Sequence, residues 1–176
     1  GAIELCSLLI HQGNRHHRSV GGLCIQAFTV VLTRVVTTHY FLLLTGTGVM
    51  LELPDESDAL MSTVAGPPDT LPAPTSTRWE GRQIAVSTAV GAAHSALPTA
   101  RLAWIEVPGP GDGTFRLRMQ QPGDPSRRFP HSFVWVDQYS GRVLAVYDRD
   151  KAGALSTLNS WVHPLHDGSF AGLASR

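Results

Sequence analysis

Two histidines near the end of the chain, in Trp161-Val162-His163-Pro164-Leu165-His166-Asp167-Gly168, are the first residues whose type and spacing suggest chemistry. Imidazoles three apart can chelate a metal when one helix face carries both. Pro164 between them disturbs that geometry, so the plainer reading is a pair of surface histidines, with a metal site as the alternative. His39 is a separate candidate. It lies inside a long apolar run, where an ionisable side chain is a functional hypothesis by default.

Other residues invite chemistry and have a simpler explanation. Asp137 opens the tight turn Asp137–Gly141, where an aspartate bonds its own turn backbone and glycine allows positive φ. Trp104 and Trp135 alternate with strand core positions and read as packing. Trp161 stands where an interfacial anchor is expected. Arg116 and Arg118 project from one strand face; a solvated face is the first reading and an anionic ligand the second. No serine near His94 or His131 sits in a nucleophile elbow. No glycine-rich loop opens a helix after a strand, so nucleotide binding is unsupported.

The elements that position these residues divide the 176-residue chain sharply. Val20–Leu51 carries one formal charge, Arg34. A bilayer core needs about 20 apolar residues as a helix, and Phe28–Leu51 supplies them. Arg34 costs about 2.5–3.5 kcal/mol at the centre of such a helix. Each neighbouring Leu, Val or Phe returns about 0.3–0.6 kcal/mol. Insertion is therefore near break-even unless neighbours cover Arg34 or its side chain snorkels. The cluster Arg15-His16-His17-Arg18 precedes the run and stays cytoplasmic by the positive-inside rule, which sends the C-terminal part outside. Formal net charge is zero, giving no surplus for nucleic acid. Cys6 and Cys24 are the only cysteines and read as reduced, packed thiols, with no disulfide framework beyond them.

Prolines 54, 67, 68, 72 and 74 predict an extended linker over residues 54–77. Ser87 can cap a helix over Thr88–Ala96, ended by Pro98. Ala100–Val107, Thr114–Gln121, Ser132–Asp137 and Arg142–Tyr147 read as four consecutive strands. The second has clean period-two alternation, with Phe115, Leu117 and Met119 on one side and Arg116, Arg118 and Gln120 on the other. Ala154–Val162 is amphipathic and predicts a last helix ending at Pro164. The fold class is α+β: a transmembrane helix, a helix packed on a four-stranded antiparallel meander, and a C-terminal helix.

Four sequence pieces carry a family resemblance. They are His17-Arg18-Ser19-Val20-Gly21, Leu44-Thr45-Gly46, Val134-Trp135-Val136-Asp137-Gln138-Tyr139-Ser140-Gly141-Arg142-Val143-Leu144, and Leu165-His166-Asp167-Gly168 followed by Gly172. In this order the chain resembles bacterial membrane proteins with PepSY-associated transmembrane helices, related to iron-regulated membrane proteins and ferric-siderophore reductases. Departures are the long interval from His17 to Thr45 and the charged Arg34 within it.

The resemblance implies a cytoplasmic segment 1–19, an anchor 20–53, a linker 54–77, a PepSY-like extracytoplasmic domain 78–150, and a helix 151–176 leading to a second span beyond the chain. It places the protein in the bacterial inner membrane, with the lipid bilayer and the remaining membrane helices of a longer parent as partners. It further implies haem b in the full-length protein, with none expected on this chain by itself, since one helix cannot enclose it. His166, at the family's Leu-His position, is the first ligand candidate and His17 the second; His39 follows by depth alone. A ferric siderophore is the implied substrate of the parent. The alternative function is a non-enzymatic peptide-binding or protease-inhibitory PepSY module.

Overall fold

The computed structural model describes residues 17–77 and 81–170, with side chains from residue 25 onward. The expected cytoplasmic segment through residue 16, including Cys6 and Arg15, lies outside the described residues. So do Gly172 and the side chains of His17 and Cys24. The chain forms two compact units, the first running to Thr45 and the second starting at Gly46.

Helix α1, His17–Glu52, supplies the first unit and extends into the second. Its segment Ile25–Glu52 has 28 residues, about 42 Å at the helical rise. Among the described residues this is the one helix long and apolar enough to cross a membrane, as an anchor or a signal sequence does. Ile25, Phe28, Phe41 and Leu42 on it are each more than 60% exposed. Thr29 Oγ1 donates to the Ile25 carbonyl at 2.8 Å.

Pro54–Ala65 is helix α2, where an extended linker was expected. Proline at the first helical position has no intrahelical N–H to lose. Asp55 and Glu56 in the first turn complement the helix dipole. Gly66, at φ +79°, ends the helix. Residues 66–77 are irregular, yet pinned to the domain. Asp69 N–H donates to Ser156 Oγ at 2.8 Å, while Asp69 Oδ2 accepts from Tyr147 Oη and from Gly153 N, each at 2.9 Å.

Helix α3, Val86–Ala96, starts two residues before the expected one. Ala85 rather than Ser87 holds the cap position, with no side-chain cap bond. Strands β1 Arg101–Glu106, β2 Thr114–Gln120, β3 Ser132–Asp137 and β4 Val143–Tyr147 form one antiparallel sheet in the order β1-β2-β3-β4. The expected meander is therefore present. Phe115, Leu117 and Met119 alternate into the core with Val134 and Val136, and Ala89 and Ala93 of α3 cover them. The small alanines let the helix approach the sheet closely. An irregularity between Leu102 and Trp104 turns both Leu102 and Ile105 toward that core.

All six residues of β3 are buried. Its other face carries Phe133 and Trp135, covered by the guanidiniums of Arg116 and Arg118. Helix α4 spans Ala154–His166 and so continues past Pro164, where a stop was expected. Pro164 lies near the C-terminal end and is fully buried, so packing holds the last turn despite one missing backbone donor.

Candidate functional site

His166 is the candidate with a defined partner. Thr47, in the last turns of α1, places Oγ1 3.0 Å from His166 Nδ1 at the end of α4. Thr47 is 6% exposed, whereas His166 is exposed. Gly48 lies beside the ring: a β-carbon there would stand 3.4 Å from His166 Cε1. The ring is thus oriented through one nitrogen. When Nδ1–H donates to the threonine oxygen, Nε2 keeps its lone pair for an incoming ligand. Nε2 has no hydrogen-bond partner among the described residues.

His163 takes a different direction. Its ring packs on Phe129 with centroids 5.0 Å apart, at a pocket shared with Trp104, Glu106, Arg118 and His131. The continuous helix restores the three-residue spacing that Pro164 called into question. The two imidazoles nevertheless have separate neighbours. No group of three or more metal-ligating side chains occurs among the described residues.

His39 belongs to the first unit and is exposed along the apolar helix. Its Nδ1 lies 2.7 Å from the Val35 carbonyl, which accepts the Nδ1 proton and leaves Nε2 as the free nitrogen. His17 lies 22 positions earlier on the same helix, about 33 Å along the axis. His17 and His39 therefore cannot ligate one iron. Each imidazole offers at most a single ligand, and a haem held here requires its opposing ligand from elsewhere.

The Asp137 turn is structural. Oδ1 accepts from Tyr139 N at 2.8 Å and Ser140 N at 2.7 Å, and Oδ2 accepts from Thr77 N at 3.2 Å. Burial pushes this carboxyl up, but those donors outweigh it and hold it below the ordinary 3.8. Gly141 takes φ +74°, as the turn requires.

Sequence reasoning did not single out Thr47, His131 or Asp69. The repeat Thr45-Gly46-Thr47-Gly48 held a signal for the first, since two residues apart on a helix are about 200° apart and only one threonine can face α4. His131 is a lone histidine in a polar loop and gave none. Burial, followed by the charges of Arg118, His163 and Arg149, lowers its pKa from 6.5 to about 4. Compared with protein-family models and with curated proteins, the chain matches none.

Proposed function

We propose that the chain is the membrane-anchored PepSY-like part of a bacterial inner-membrane electron-transfer system of the ferric-siderophore reductase kind, with its sheet domain on the extracytoplasmic side. The Thr47–His166 contact carries this reading. It ties the exit of the apolar helix to a histidine whose outer nitrogen is free. The basic cluster at Arg15–Arg18 supports the orientation.

His166 is the residue that would hold a haem b in the assembled protein, through Nε2. A haem would supply one-electron transfer; the chain would offer one imidazole, oriented by Thr47, and a glycine at position 48 that leaves room beside the ring. A second ligand would have to come from other membrane helices. The first unit supports such neighbours. Val30, Thr33, Arg34, Thr37 and Thr38 fall on one helix face and, with Thr29, line a groove. A polar stripe of this kind favours packing against other helices over lipid.

The test is the visible spectrum of the full-length gene product in iron-replete membranes. A Soret band that falls strongly in His166→Ala and persists in His163→Ala supports the proposal. Absence of the band, or unchanged haem content in His166→Ala, overturns it.

A second reading, a non-enzymatic peptide-binding module, draws on the sheet edge. Among the described residues strand β1 has one neighbour, β2, and Trp104 on it is 59% exposed. Photo-crosslinking from position 104 in whole cells tests it; a discrete peptide adduct favours this reading and its absence removes it.

A further inference from the structure

The sheet face turned away from α3 carries a pocket of about 430 Å³ that the haem reading does not use. Cross-strand partners share a face. The register pairs Trp104 with Arg118, Glu106 with Arg116, Arg118 with Phe133 and Arg116 with Trp135. Two arginines and three aromatic residues therefore crowd one surface. The pocket is walled by Trp104 and Phe129 and edged by Glu106, Arg118, His131 and His163.

Its cation lacks a direct partner. The half-buried Arg118 guanidinium lies 5.0 Å over the Phe133 ring and has no carboxylate or hydrogen-bond partner among the described residues. The one acid of the pocket, Glu106, is engaged by Arg116 at 3.5 Å. His131 lines the same pocket, with Nδ1 shielded from solvent. Glu106, the acid nearest Arg118, is shared with Arg116, so this partly buried cation is only partly compensated. An anion in the cavity completes the compensation, and the ring walls suit a flat apolar body.

We propose that this pocket binds a small aromatic carboxylate. The carboxylate pairs with Arg118, and the ring packs against Trp104 and Phe129. The site depends on neither haem nor His166.

The test is calorimetric titration of the intact chain in phosphatidylcholine nanodiscs, with empty nanodiscs subtracted. The probes are benzoate, its neutral isostere benzamide, and inorganic phosphate. Saturable benzoate binding is expected, with benzamide and phosphate each at least about tenfold weaker, the loss of one charge-assisted contact. Arg118→Gln weakens benzoate by a similar factor, while the exposed Trp104→Ala weakens it without lowering the unfolding midpoint. No saturable benzoate binding, benzamide binding equal to benzoate, phosphate binding tighter than benzoate, or benzoate binding unchanged by Arg118→Gln overturns the proposal.

Discussion

Thr47 Oγ1 lies 3.0 Å from His166 Nδ1, a contact between residues 119 positions apart that joins the end of α1 to the last turn of α4. Replacing Thr47 by valine keeps the volume and removes the hydroxyl. The expected cost is about 1 kcal/mol for one hydrogen bond, read as a lower denaturant midpoint. The sharper readout is the imidazole itself. In the wild-type chain, nitrogen-15 spectra should show neutral His166 as the Nδ1–H tautomer, and Thr47→Val should release that preference. A wild-type His166 protonated at Nε2 would remove the free ligand nitrogen on which the haem proposal relies.

Stability should depend on pH through His131. Burial, then the charges of Arg118, His163 and Arg149, lowers its pKa from 6.5 to about 4. Between those values the unfolded chain takes up a proton that the folded chain refuses. The contribution is thus complete above pH 6.5 and is lost as pH falls toward 4. Its size is at most about 3 kcal/mol. Urea unfolding of wild type and His131→Asn across this window measures it, because the variant cancels every other titrating group. Parallel pH curves for the two proteins would contradict the buried, uncharged imidazole.

Much of the sheet is legible in the residues, and the reasons are local. Phe115, Leu117 and Met119 alternate with Arg116 and Arg118, and a half-buried strand is what that period permits. The unbroken apolar run in β3 answers to a strand buried on both faces. The expectation of an extended linker fails at Pro54–Ala65 because the effect of proline depends on its position: Pro54 begins a helix, and the next prolines, 67 and 68, follow Gly66 after it has ended. Pro164 is misjudged in the opposite sense, since burial of its ring against the domain is a tertiary property. The candidate site is less legible. His166 is visible as a histidine near a glycine, but its partner arrives from another helix, and only the folded chain selects Thr47 over Thr45. Arg118 and His131 are separated by a loop, and their meeting requires the β2–β3 register.

Acid should loosen the Asp137 turn. Its carboxylate collects three backbone donors, from Thr77, Tyr139 and Ser140, and these hold the carboxyl below 3.8 despite burial. A depressed carboxyl stabilises the fold fully above pH 3.8 and loses that contribution as pH falls below it. Asp137→Asn keeps one acceptor oxygen and places an amide against donors. The expected cost at neutral pH is about 1.5–3 kcal/mol, the range for hydrogen bonds to a charged group. The gap between wild type and variant should narrow as pH falls below 3.8 and the wild-type carboxylate protonates. A gap that persists undiminished in acid would mean that shape, rather than charge, holds the turn.

Arg34 decides how the apolar helix meets lipid. It lies within Ile25–Glu52, the span long enough to cross a bilayer, and on the same face as Thr33, Thr37 and Thr38. A central arginine costs about 2.5–3.5 kcal/mol and a leucine gains about 0.3–0.6 kcal/mol. Arg34→Leu should therefore favour insertion of this chain by about 3–4 kcal/mol, turning a mixed population into a fully inserted one. A glycosylation-tagged chain translated into microsomes reads the inserted fraction directly. The proposed function adds further membrane helices, and once such helices are present the polar stripe with Arg34 has neighbours to meet. There, Arg34→Leu should weaken co-purification of the anchor with those helices while leaving its insertion high. Equal insertion of wild type and variant in the isolated chain would show that Arg34 snorkels out of the hydrocarbon, and the polar stripe would then not be a packing face.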